Sequence, residues 1–71
     1  MTRAGAPAAE LEAPDVELLQ LVAGGLPLDA VARRLRTSER TVRRRLKAIR
    51  DRLGVDSSIE AIVWAVRRGL V

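Results

Sequence analysis

Cysteine and histidine are both absent from this 71-residue chain. Their absence excludes disulfides, zinc fingers, thiol nucleophiles and imidazole general bases together. No Ser–His or Cys–His pair can be assembled, so the chain is not expected to be an enzyme or to hold a metal or cofactor. Phe and Tyr are missing as well, and there is one Trp. The core must therefore be aliphatic, built from Leu, Val, Ile and Ala. No apolar run approaches the length needed to span a bilayer. The N-terminus, MTRAGAPAAELEAP, has no hydrophobic stretch of the secretory type. A cytoplasmic location is expected, with no membrane partner and no small-molecule ligand within the chain. The length allows one small domain.

Acid is also missing locally. No acidic residue lies between Arg40 and Arg50, a stretch that carries Arg40, Arg43, Arg44, Arg45, Lys47 and Arg50. The net charge of +4 understates this asymmetry. From Arg33 to Arg52 there are ten bases against two acids, Glu39 and Asp51, and the rest of the chain is net negative. The positive charge is a patch on one element, and a patch attracts phosphates. All the cations but Lys47 are Arg, the better group for bidentate readout of guanine.

The segment TSERTVRRRLKAIRDRLG, Thr37 to Gly54, reads as one helix over about 39–53. Ser38 is a good N-cap, since its hydroxyl can accept a free backbone N–H of the first turn. Glu39 complements the positive end of the helix dipole, and Gly54 suits the left-handed position past the C-terminus. Val42, Leu46, Ile49 and Leu53 recur at spacings of four, three and four, one apolar stripe facing a core. A merely solvated face normally mixes signs, with acids four residues from bases. Bases without acids repel one another unless a polyanion neutralises them, which favours a helix that faces nucleic acid.

Residues 1–10, rich in Ala with Gly and Pro, are expected to be a disordered tail, and residues 11–71 the domain. A first helix is expected from Pro14 to Ala23, with Pro14 in the first turn and Leu18, Leu19 and Val22 as its apolar stripe. Leu11 can pack back on it, and Gly24 and Gly25 stop it. A short second helix opens at Leu26-Pro27 and runs to about Leu35, burying Leu28, Val31, Ala32 and Leu35. Arg36-Thr37 then connects tightly to Ser38, giving a helix-turn-helix whose second helix is basic. Such a turn often carries Gly, so Arg36 requires some backbone adjustment. Val55 reads as a core plug. Ser57-x-x-Glu60 is a capping box for a fourth helix over about 58–68, ended by Gly69. The fold class is all-α, a four-helix helix-turn-helix domain.

That last helix is apolar around most of its circumference. With Ala61, Ile62, Ala65 and Val66 pointing inward, Val63, Trp64 and Arg67 are left outside. Two readings stay open: an apolar strip for self-association, or a Trp64 that lids the core edge.

LVAGGLPLDAVARRLRTSERTVRRRLKAIRDRLGV with SSIEAIVWAVRRGLV closely resembles the LuxR/GerE-type helix-turn-helix domain of bacterial response and quorum-sensing regulators. The marks are Gly25, Val31-Ala32 with Leu35, Ser38 with Thr41-Val42, Leu46, Leu53-Gly54-Val55, Glu60-Ala61 and a terminal Gly-Leu pair. The set is specific and spans Leu11 to Val71. Three places depart from it. Leu11-Glu12-Ala13-Pro14-Asp15 stands where the family opens with Leu-Thr-x-Arg-Glu. Arg36 replaces the turn Gly, and Arg43-Arg44-Arg45 replaces a Lys-x-His pattern.

The resemblance implies the third helix in the major groove of double-stranded DNA and the fourth as a dimer contact, hence a homodimer on DNA. Carried over by position, Arg43, Arg44 and Lys47 would face bases. Ser38, Arg40, Thr41 and Arg45 would face phosphates. The helical wheel agrees in part: Arg40, Arg44 and Lys47 lie opposite the apolar stripe, Arg43 flanks them, and Arg45 lies on the other flank. For the dimer, Val63, Trp64 and Arg67 are the candidates. The family usually joins this domain to a receiver or ligand-binding domain, so a free-standing regulator and a fragment are both compatible with the sequence. Two alternatives compete with a sequence-specific transcription regulator: a domain like region four of sigma factors, and a helical module whose basic face binds an acidic protein partner.

Overall fold

The computed structural model describes residues 11–71; the tail expected over residues 1–10 lies outside them. Four helices follow one another in the described residues: α1 (Ala13–Ala23), α2 (Leu28–Arg34), α3 (Glu39–Leu53) and α4 (Ser58–Arg67). The all-α, four-helix expectation holds. Helix α1 packs against the other three, α2 packs on α3, and α3 on α4. The unit built from α2, the turn and α3 is thereby clamped from behind by α1 and α4.

Each helix starts and stops for a local chemical reason. Ser38 Oγ accepts from the Thr41 N–H at 3.0 Å, and Ser57 Oγ from the Glu60 N–H at 3.1 Å, so two of the orphan first-turn donors are satisfied as expected. The Glu60 carboxylate returns to the Asp56 N–H at 2.8 Å, one residue earlier than the box pattern predicts. Helix α1 begins one residue before Pro14. Glu12 is its cap residue, and the Asp15 carboxylate accepts the Glu12 N–H at 3.3 Å. Asp15 thus supplies, from the third position, the returning half of a capping box. Helix α2 is shorter than expected at both ends, with Pro27 as cap and Leu35 just past its end.

The C-termini share one device. After α2, α3 and α4 the chain enters left-handed backbone at Arg36 (φ 58), Gly54 (φ 73) and Gly69 (φ 71). The next N–H then reaches back to a helix carbonyl: Thr37 to Ala32 at 2.9 Å, Val55 to Arg50 at 3.0 Å, Leu70 to Ala65 at 2.9 Å. This is the six-to-one bond of a Schellman ending. Gly enters that region without steric penalty; Arg36 does so at a cost.

The core is aliphatic, as the composition requires. Leu18 and Leu19 of α1, Val31 and Ala32 of α2, Val42, Leu46 and Ile49 of α3, and Ala61 and Ala65 of α4 are buried. Fully burying one Leu or Val contributes about 1.5–3 kcal/mol, so these residues, with half-buried Leu11, Leu53, Val55 and Leu70 around them, supply most of the drive to fold. One inward assignment is corrected. Val66 is 54% exposed, and with Ile59 (73%) and Val63 (44%) it forms the exposed large apolar set of the described residues. Helix α4 turns its two alanines inward, where small side chains allow close approach to the helices it packs on, α1 and α3.

Candidate nucleic-acid interface

Helix α3 is fixed by its apolar stripe, and its cations fall into two groups according to what the stripe leaves them. Arg40, Arg43, Arg44 and Lys47 are exposed, as is the small Ala48. Arg45, Arg50 and Arg52 turn toward the other helices.

In the outward group, two cations have acid partners one turn away. Arg43 Nη2 lies 2.6 Å from Glu39 Oε2, and Lys47 Nζ 2.8 Å from Asp51 Oδ2. This corrects the picture of a face with no acid in reach: Glu39 and Asp51 bracket it. Both pairs are well exposed and spaced i, i+4, which makes each worth only about 0.3–0.5 kcal/mol. A phosphate or a guanine edge displaces such a partner at little cost. The side chains of Arg40 and Arg44 make no bond or ion pair among the described residues, and neither do those of Arg34 and Arg36 on the approach to α3.

The N-terminal end of α3 has its own arrangement. Ser38 Oγ accepts the Thr41 N–H and also donates to Thr41 Oγ1 at 3.0 Å. Ser38 is thereby committed to the cap, and the Thr41 hydroxyl, which accepts from Ser38, keeps its own O–H as a donor. First-turn N–H groups and the helix dipole favour an anion at this end.

The inward group was not legible in the sequence. Arg45 Nη2 donates to the Pro14 carbonyl at 3.1 Å and stands 4.0 Å from Asp15 Oδ1. Arg52 Nη1 lies 3.5 Å from Asp15 Oδ2. Arg50 Nη1 donates to Ser58 Oγ at 3.2 Å, joining α3 to the start of α4. These cations therefore splice the basic helix to its supports. The advance signal was Asp15 itself, an acid in the first turn of α1 in a chain whose positive charge lies elsewhere.

The three residues expected at a dimer contact are placed differently from one another. Val63 and Arg67 are exposed. Trp64 is half-buried and packs on the core, with the Arg68 guanidinium carbon 3.9 Å from its ring centroid, a stacked cation–π contact. Ile59, Val63 and Val66, at spacings of four and three, form the apolar line that α4 leaves uncovered.

Among the described residues no cluster of His, Cys, Asp and Glu could hold a metal ion, and no helix is long and apolar enough to cross a membrane.

The sequence that forms these helices is similar to known proteins. The chain is 39% identical over 62 residues to the transcriptional regulatory protein YdfI of Bacillus subtilis (strain 168). That alignment covers 87% of this chain and 29% of the relative, so the chain spans less than a third of that protein's length. No solved structure matches the chain. The model for bacterial regulatory proteins of the luxR family matches residues 13–65, from the first residue of α1 into the last turns of α4. With the fold, the charge and the caps in agreement over that span, the chain belongs to the LuxR family of bacterial regulatory proteins.

Proposed function

We propose that this chain is a sequence-specific, double-stranded-DNA-binding transcription regulator that reads the major groove with α3. The observation that carries this reading is the outer face of α3: Arg40, Arg44 and Lys47 are exposed opposite the buried Val42, Leu46 and Ile49, on a helix whose N-terminus is capped by Ser38. Family membership and the likeness to a transcriptional regulator support it. Arg43, Arg44 and Lys47 are assigned to base edges, and Arg40, Thr41 and Arg45 to phosphates. Ser38 holds Thr41 in place. Phosphate contacts supply much of the affinity, and the groove-facing cations the choice of sequence.

Helix α4 is assigned to a two-fold contact on DNA, through Val63 with Ile59 and Val66 beside it and Arg67 at the rim. Trp64 supports this strip from below. In a symmetric interface the same line meets itself. One helical strip is smaller than a stable interface requires, so the free protein is a monomer at micromolar concentration. DNA pairs two copies on half-sites about one helical turn apart. The family match, which reaches into α4, supports this reading over the sigma-factor alternative.

The test is selection from a random duplex pool with the purified chain. A recovered motif with two-fold symmetry is expected. Recovery of no preferred sequence, with weak binding that salt abolishes, would favour a basic module for an acidic protein partner instead.

A further inference from the structure

A carboxylate beside a DNA-binding face repels phosphate, and the bland expectation is that Asp15 weakens binding. Its surroundings argue otherwise. The Asp15 side chain is only 19% exposed and is enclosed by the Glu12 N–H, Arg52 and Arg45. Of the ion-paired cations, Arg45 is the least exposed, at 30%. Its Nη2 is bonded to the Pro14 carbonyl. The donors on Nε and Nη1 have no bond among the described residues. The guanidinium is thus pinned at one nitrogen and open at the other two. Thr41, half-buried and bonded to Ser38, stands one turn earlier on the same flank of α3.

We infer that Asp15 is a positioning residue for DNA binding, which with the Pro14 carbonyl holds the Arg45 guanidinium ready for a backbone phosphate that also meets Thr41. The inference rests on the phosphate role assigned to Arg45. An Arg side chain carries large rotamer freedom, and ordering it at an interface weakens binding. Asp15 imposes that order before the DNA arrives. A phosphate approaching Nε and Nη1 then completes the charge balance of a cation already aimed at it.

The experiment measures binding of the full chain to a labelled duplex of arbitrary sequence, about two helical turns long. Asp15→Asn keeps an oxygen acceptor for the Glu12 N–H and removes the charge. Simple electrostatics predicts tighter binding, because an anion is lost. The positioning role predicts binding weaker by roughly three- to tenfold, the effect of freeing one ordered side chain. In an Arg45→Met background Asp15→Asn should then change nothing, a result that a general loss of structure would not give. Asp15→Glu should restore part of the loss. Arg45→Lys tests the same point without touching the α1 cap: net charge is unchanged, but the fork is gone, and a similar loss is expected. The inference is overturned if folded Asp15→Asn binds as well as or better than the unaltered chain, or if Arg45→Lys binds as well. Unaltered binding by Arg45→Met would remove the phosphate role of Arg45 itself. Loss with Arg45→Met but not with Asp15→Asn would leave that role standing and reject only the part given to Asp15.

Discussion

Arg36 and Gly54 occupy the same place at the ends of successive helices, with φ angles of 58 and 73. Each is followed by an N–H that bonds back to the helix just left, Thr37 to Ala32 and Val55 to Arg50. Only one of the two is a glycine. Left-handed backbone costs a residue with a Cβ about 1–2 kcal/mol, part of which glycine returns through its greater freedom when unfolded. Arg36→Gly is therefore expected to stabilise the domain by about 1 kcal/mol and to raise its melting temperature by about 4–8 °C. It should also weaken DNA binding, because an exposed cation is lost. Thermal unfolding by circular dichroism decides the first part; a melting temperature that stays or falls would mean that Arg36 bears no strain.

Salt should act strongly on binding. Each phosphate neutralised by the basic face releases condensed counterions, so affinity should fall on the order of 10³ from low to moderately raised salt if a pair of copies binds. A titration series at several salt concentrations gives the slope. A flat slope would be incompatible with α3 lying against DNA.

Readout should divide by position on α3. Arg44→Ala and Lys47→Ala are expected to lose about 1–3 kcal/mol on the preferred site and much less on a scrambled one. Arg45→Ala should weaken both alike. Binding of each variant to both duplexes makes the comparison, and a change of preferred sequence in Arg45→Ala would reverse the assignment of faces.

The two open readings of the last helix separate into different residues. Val63 is exposed and Trp64 is packed on the core. Val63→Glu should fold normally and lose cooperativity on a duplex with two half-sites. Trp64→Ser should lower the melting temperature, since it removes both the core contact and the platform under Arg68. Unchanged cooperativity in Val63→Glu would exclude this line of α4 as the contact between copies.

The two serine caps offer an internal comparison. Ser38→Ala and Ser57→Ala should each destabilise by about 1 kcal/mol. Only Ser38→Ala should weaken DNA binding beyond what the stability loss explains, because Ser38 also orients the Thr41 hydroxyl. Equal binding by the two variants at a temperature where both are folded would contradict that role.

What could be read in the sequence was local or periodic. The stripe Val42-Leu46-Ile49-Leu53 repeats at helical spacing, and the Ser38, Ser57 and Gly54 signals act within one turn of themselves. The strain at Arg36 was visible because the turn geometry demands a positive φ whatever the neighbours. Two things were not legible. Asp15 stands in the first turn of α1, where an acid is accounted for by the helix dipole alone, and its ties to Arg45 and Arg52 join residues far apart in the chain. The inward face of α4 could not be chosen by periodicity, because apolar residues surround it. Packing against α1 and α3 made the choice and favoured Ala61 and Ala65 over the bulkier Val66.

The division of α3 into buried, tied and outward positions also limits how its DNA preference can drift over evolution. Val42, Leu46 and Ile49 are held by the core, Arg50 by Ser58, and Arg45 and Arg52 by α1. The exposed Arg40, Arg43, Arg44, Lys47 and Ala48 hold no helix to another. A paralogue could acquire a new operator by changing these alone, with folding untouched, whereas retargeting through the other positions would require compensating changes in α1 or α4.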